Sequence, residues 1–157
     1  MYRVRLWSVR HARLLERVYR PFEAWLVRMH PVFVRIGYER LERPVRVVER
    51  AVKGALFDCQ MCGYCVLSST GLACPMNCPK QMRNGPCGGV RADGNCEVNP
   101  DMVCVWAEAV RGSRNMHYGH TIALVQPAVD FRLAGSSSWL HVARGEQRSA
   151  SDRTEVS

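Results

Sequence analysis

The sequence predicts a small, mostly α-helical protein built on an irregular, cysteine-rich, metal-nucleated domain, with little sheet. Three observations predict it. All eight cysteines of the 157 residues fall between Cys59 and Cys104. Ahead of them, apolar residues recur at helical spacing. Within the cysteine segment, Gly, Pro and Asn interrupt any sustained period, so bound metal has to do part of the folding. The reading divides the chain into an Arg-rich amphipathic helical arm (1–55), the cysteine-rich metal domain (56–112), an extended strap (113–144) and a disordered polar tail (145–157).

In the arm, Leu15, Val18, Phe22, Trp25, Leu26 and Met29 recur at three and four residues, with Arg13, Arg17, Arg20 and Arg28 between them. Pro21 is expected to kink or restart this helix, and Pro31 to stop it. Pro44 suits the first position of a second helix, with Val45, Val48, Val52 and Leu56 on its apolar face. Residues 32–41 read either way. The charge is concentrated here: residues 1–50 carry twelve Arg and five Glu, nearly all of the net +8. Such an arm either covers the cysteine domain or docks on a partner. A basic helix also suits nucleic acid or an anionic membrane surface, but no nucleic-acid module accompanies the charge. Only Lys53 and Lys80 are lysines, against twenty arginines.

The cysteines are Cys59, Cys62, Cys65, Cys74, Cys78, Cys87, Cys96 and Cys104. Sulfur at this density serves a disulfide framework, zinc or an iron–sulfur cluster. Cys59, Cys62 and Cys65 form Cys-x2-Cys-x2-Cys, the opening of the bacterial ferredoxin pattern, whose further ligand often precedes proline. Cys74 precedes Pro75, and Cys78 precedes Pro79. The triplet therefore belongs to one site, closed by a later Cys-Pro cysteine or by Cys104. Eight thiolates divide into two four-thiolate sites, which favours two 4Fe–4S clusters, with zinc at one or both sites as the alternative. Asp58 stands ready to cap the preceding turn. Gly63, Gly71, Gly85, Gly88, Gly89 and Gly94 let backbone come close to a cluster. Asp93-Gly94 reads as a tight turn between Val90 and Cys96. Pro100 opens a return to helix that would carry Cys104, Trp106 and Val110. His117 and His120 read as surface or interface residues, since eight cysteines already fill two sites. Thr121–Val129 reads as a strand or strap, and Gly135–Leu140 as a loop anchored by Trp139.

Residues 56–106 contain CPMNCPK at Cys74–Lys80, NGPCGG at Asn84–Gly89 and NCEV at Asn95–Val98. This block resembles the cysteine-rich C-terminal domain of the methylenetetrahydrofolate reductase family, found also in the small subunit of two-subunit reductases. The resemblance covers a third of the chain. It implies an iron–sulfur accessory subunit that binds a flavin-containing methylenetetrahydrofolate reductase subunit and relays electrons to or from its FMN or FAD in one-carbon metabolism. The alternatives are a zinc-bearing structural subunit of the same reductase and a zinc-ribbon nucleic-acid binder.

Several function classes are excluded by what the chain lacks. There is no Gly-x-Gly-x-x-Gly fingerprint, no phosphate loop and no repeated strand–helix pattern long enough for a flavin-binding barrel. The chain is thus expected to be non-catalytic alone, with any flavin in the partner. No apolar run reaches the ~18 residues of a membrane span, and no secretory signal is visible. The expected setting is cytoplasmic and reducing, which argues against disulfides.

Overall fold

The structure, a computed structural model, describes residues 2–146. The expected disordered tail therefore lies, apart from Gly145 and Glu146, outside the described residues. Four helices precede the cysteines: α1 (Tyr2–Arg10), α2 (Ala12–Arg28), α3 (His30–Ile36) and α4 (Tyr38–Phe57). Pro21 lies inside α2 without ending it. A proline there deletes one backbone hydrogen bond. Pro21 is exposed, and buried Ala12, Glu16 and Leu26 hold the helix on either side. Pro31 does mark a boundary, in the first turn of α3, where its missing N–H is not needed. Pro44 lies within α4 instead of opening it. The break before α4 is Gly37, whose φ of 92° is costly for any residue with a Cβ.

Of the expected apolar face of α4, Val45 and Leu56 are half-buried against the core clusters, but its middle is displaced by one position. Val48 and Val52 are exposed, and Glu49, Lys53 and Phe57 turn inward. Beyond the cysteines come α5 (Val105–Ser113) and α6 (Ser138–Ala143). Cys104 sits at the N-terminal edge of α5, and Pro100 opens only a turn. The region expected as an extended strap holds single 3₁₀ turns at Gly119–Ala123 and Phe131–Leu133, then α6. α6 forms where a loop was expected because Ser137 Oγ accepts from the Leu140 N–H, and Trp139, Leu140 and Ala143 bury one face.

The described residues form no sheet. Val90 with Cys96, and Asn95 with Val103, make isolated antiparallel bridges around the Asp93-Gly94 turn. The architecture is mostly helical, as the apolar period implies. Three apolar clusters hold it. Leu26, Phe33, Trp139, Leu140 and Ala143 join α2, α3 and α6. Ala12, Phe57, Leu67, Leu72, Cys74 and Met116 join α2 and α4 to the cysteine loops. Val9, Ala73, Val105, Trp106 and Ala109 join α1 to α5. The arm therefore packs on the cysteine domain as part of one core.

Candidate metal centre

The first cysteines emerge where α4 ends. Asp58 adopts the left-handed conformation (φ 55°, ψ 49°) and its N–H closes on Gly54 O at 3.0 Å. Asn77 Nδ2 holds Phe57 O at 2.9 Å, tying the end of α4 to the Cys74–Cys78 turn. Past Cys62 the chain turns at Gly63, with φ 81°. A Cβ there would lie 2.2 Å from Leu133 O, so only glycine lets the 131–135 segment close over the loop. Gly135 N donates to Met61 O at 2.7 Å from the same segment. Thr70 Oγ1 donates to Val66 O and Ala73 O, shaping the return to Cys74.

These loops place Cys59, Cys62, Cys65 and Cys74 around one small cavity, which Glu49, Lys53, Tyr64 and Arg83 also line. The Cys-Pro cysteine that joins the triplet is thus Cys74, while Cys78 and Cys104 pack against the Val105–Trp106 cluster. Cys96 is buried, and its N–H donates to Met102 O at 2.9 Å. Cys87 is exposed, with Gly89 N 3.4 Å from its sulfur and Glu97 beside it. No two of the eight are joined by a disulfide in this structure.

Electrostatics in the cavity follow from burial. Burial pushes the Cys59 thiol up to about 11, against the Met61 N–H that favours its thiolate. Burial, reinforced by Cys59 and Cys65, pushes Cys74 up to about 12. Without a cation these sulfurs keep their protons; bound metal would displace them. Two buried cations face the same space. Lys53 Nζ donates to Glu49 Oε1 and Ser138 Oγ, both at 2.7 Å. Burial alone would lower its pKa, but Cys65 and Glu49 more than reverse this and keep it protonated. Arg83, 8% exposed, donates from Nε to Pro127 O and from Nη2 to Tyr64 O, each at 3.1 Å. Its Nη1 is buried with no partner.

This donor set suits an anionic, thiolate-bound group. A tetrahedral zinc would draw its four thiolates to about 3.8 Å of one another, given Zn–S near 2.3 Å. Among the described residues, no three His, Cys, Asp or Glu side chains stand close enough together to hold a metal ion, zinc or iron, as they are placed. The cavity that the four cysteines line has a volume of about 20 Å³, so a cluster there would have to open the loops as it bound. His117 and His120 are exposed and line no part of this cavity. Sequence reasoning missed Glu49, Lys53, Arg83, Ser137 and Ser138. A signal existed for two of them: Glu49, Lys53 and Phe57 repeat at four residues, and Lys53 is a rare lysine in an arginine-rich chain.

Cys65, Lys53 and Leu67 also face a second, apolar cavity of about 290 Å³ between α2 and α4. Exposed Val18 and Val52 lie along it.

No curated protein and no solved structure matches the chain. One family does match, described as methylene-tetrahydrofolate reductase C terminal, over residues 38–132. The matched span covers the inward face of α4, all eight cysteines and Arg83, and ends just before Leu133 and Gly135 of the closing segment. The chain belongs to the methylene-tetrahydrofolate reductase C-terminal family.

Proposed function

We propose that the chain is an iron–sulfur accessory subunit that docks on a flavin-containing methylenetetrahydrofolate reductase subunit and relays single electrons to or from its flavin, in the cytoplasm and in one-carbon metabolism. The observation that carries the reading is the cavity itself: four cysteines of the triplet and Cys-Pro type, lined by two buried cations. Cys59, Cys62, Cys65 and Cys74 would hold one 4Fe–4S cluster. Cys78, Cys87, Cys96 and Cys104 remain for a second. When bound, such a cluster supplies a one-electron redox centre at thiolate-held iron.

The protein's own residues do the rest. Gly63 and the 131–135 segment cover the loop and limit water. Met61 N, 3.4 Å from Cys59 Sγ, and Gly89 N, 3.4 Å from Cys87 Sγ, stabilise thiolate charge. The mostly apolar cavity beside Cys65 leaves a face where a partner can come near the centre, with Lys53 shared between the two cavities. Family membership supports the reductase as that partner.

The test is metal and sulfide analysis on anaerobically purified chain, with its visible spectrum. About eight irons with matching sulfide is the outcome expected of two cubanes. Cys62→Ser should lose about four irons and the transfer of electrons to the reductase flavin. Zinc without iron would defeat the relay and leave a scaffold subunit. Unchanged flavin reduction in Cys62→Ser would defeat it as well.

A further inference from the structure

Arg83 is a buried cation without a counter-charge. Among the described residues no carboxylate pairs with it. Its Nε and Nη2 are spent on the neutral carbonyls of Pro127 and Tyr64. The Tyr64 ring lies 5.6 Å from its Cζ. Its Nη1 is buried and unpartnered, in a residue that lines the four-cysteine cavity. Lys53, the other cation there, is already neutralised by Glu49 at 2.7 Å. A buried guanidinium held only by carbonyls is costly unless an anion completes the site. The strap around it is braced to keep it in place: Asn84 Nδ2 donates to Gln126 O at 2.8 Å, and Gln126 N to Asn84 Oδ1 at 2.7 Å. The geometry holds the fork rigid before any ligand arrives.

We propose that Arg83 is the counter-cation of the centre at Cys59, Cys62, Cys65 and Cys74, donating from Nη1 to its sulfur and raising its reduction potential. The inference rests on the iron–sulfur reading above. Its chemistry is that of a fixed charge. One-electron reduction makes a thiolate-bound centre more negative, and an adjacent guanidinium favours the more negative state. The electron comes from an external reductant. Arg83 stays protonated throughout, so no proton moves and no protein bond forms or breaks.

The experiment is an anaerobic redox titration of the full chain with dithionite, followed by electron paramagnetic resonance, alongside iron content. At the potential where the parent's centre is half reduced, Arg83→Gln should show a ratio of reduced to oxidised centre at least about tenfold lower, a shift of about 59 mV for a one-electron couple. Iron content should be that of the parent. Arg83→Lys, which keeps the charge, should recover most of the shift. The second centre serves as an internal control and should not move. A retained centre with unchanged potential in Arg83→Gln overturns the proposal. So does a shift of equal size in both variants, since charge would then not be the cause. Loss of iron from both variants also overturns it, making Arg83 a structural strut. A parent chain without iron defeats the underlying metal reading instead.

Discussion

Glu49 is the residue on which the most buried polar contacts converge. Its carboxylate accepts from Lys53 Nζ, Ser137 Oγ, Ser138 Oγ and the Trp139 N–H. Those donors come from α4 itself and from α6, so one side chain ties the closing helix to the helix that delivers the cysteines. Removing it leaves Lys53, 3% exposed, charged and unpaired. Glu49→Ala is therefore expected to cost about 3–5 kcal/mol, read by chemical denaturation. The pH dependence has a defined sign. Burial would push Glu49 up, but Lys53, Ser137 and Ser138 more than offset it and hold its pKa below the ordinary 4.5. Its contribution is then fully present above pH 4.5 and is lost as pH falls through the lower folded value. Denaturation midpoints measured from pH 6 downward should show this loss in the parent chain and not in Glu49→Gln.

At the scale of elements, the cysteine loops are held by close crossings more than by regular hydrogen bonding. Gly112 on α5 meets the Gly71 turn so tightly that a Cβ would lie 2.0 Å from Gly71 O. That contact seats the 66–73 loop, and with it Cys74, against α5. Gly112→Ala must push the loop away. It is expected to destabilise the fold by about 1–3 kcal/mol, measurable as a fall in Tm. Iron retention at the first site should fall with it, because Cys74 follows that loop directly. The helices read from the sequence exist, but prolines were a poor guide to their ends. Pro21 and Pro44 sit within helices whose buried faces outweigh one lost hydrogen bond, while Gly37, an unremarked residue, makes the break. Local spacing also could not choose between the Val48–Val52 and the Glu49–Lys53 stripes of α4. Both repeat at four, and the choice depended on the serines of α6, far along the chain.

Across the whole molecule, the three apolar clusters differ in how much they lean on the cysteines. The cluster of Leu26, Phe33, Trp139, Leu140 and Ala143 contains none. The other two include or pack on Cys74, Cys65, Cys78 and Cys104. Stripping metal should therefore spare the α2–α3–α6 end and loosen residues 59–104. Far-UV circular dichroism should keep most of its helical signal, while limited proteolysis within 59–104 speeds up by at least about tenfold, a local loss of about 1.4 kcal/mol. Uniform collapse of both signals would show instead that the chain is a single metal-dependent unit. The sequence by itself determined the mostly helical class, because helical period is a local property, and the family, because motifs such as CPMNCPK and NGPCGG are legible without the fold. Only the tertiary structure decided that Cys74 and not Cys104 joins the triplet at the first cavity, and that Lys53 and Arg83 line that cavity with them. Those facts arise from contacts between residues distant in the chain, made when α6 and the 126–135 strap close over the loops, and no spacing in the sequence encodes them.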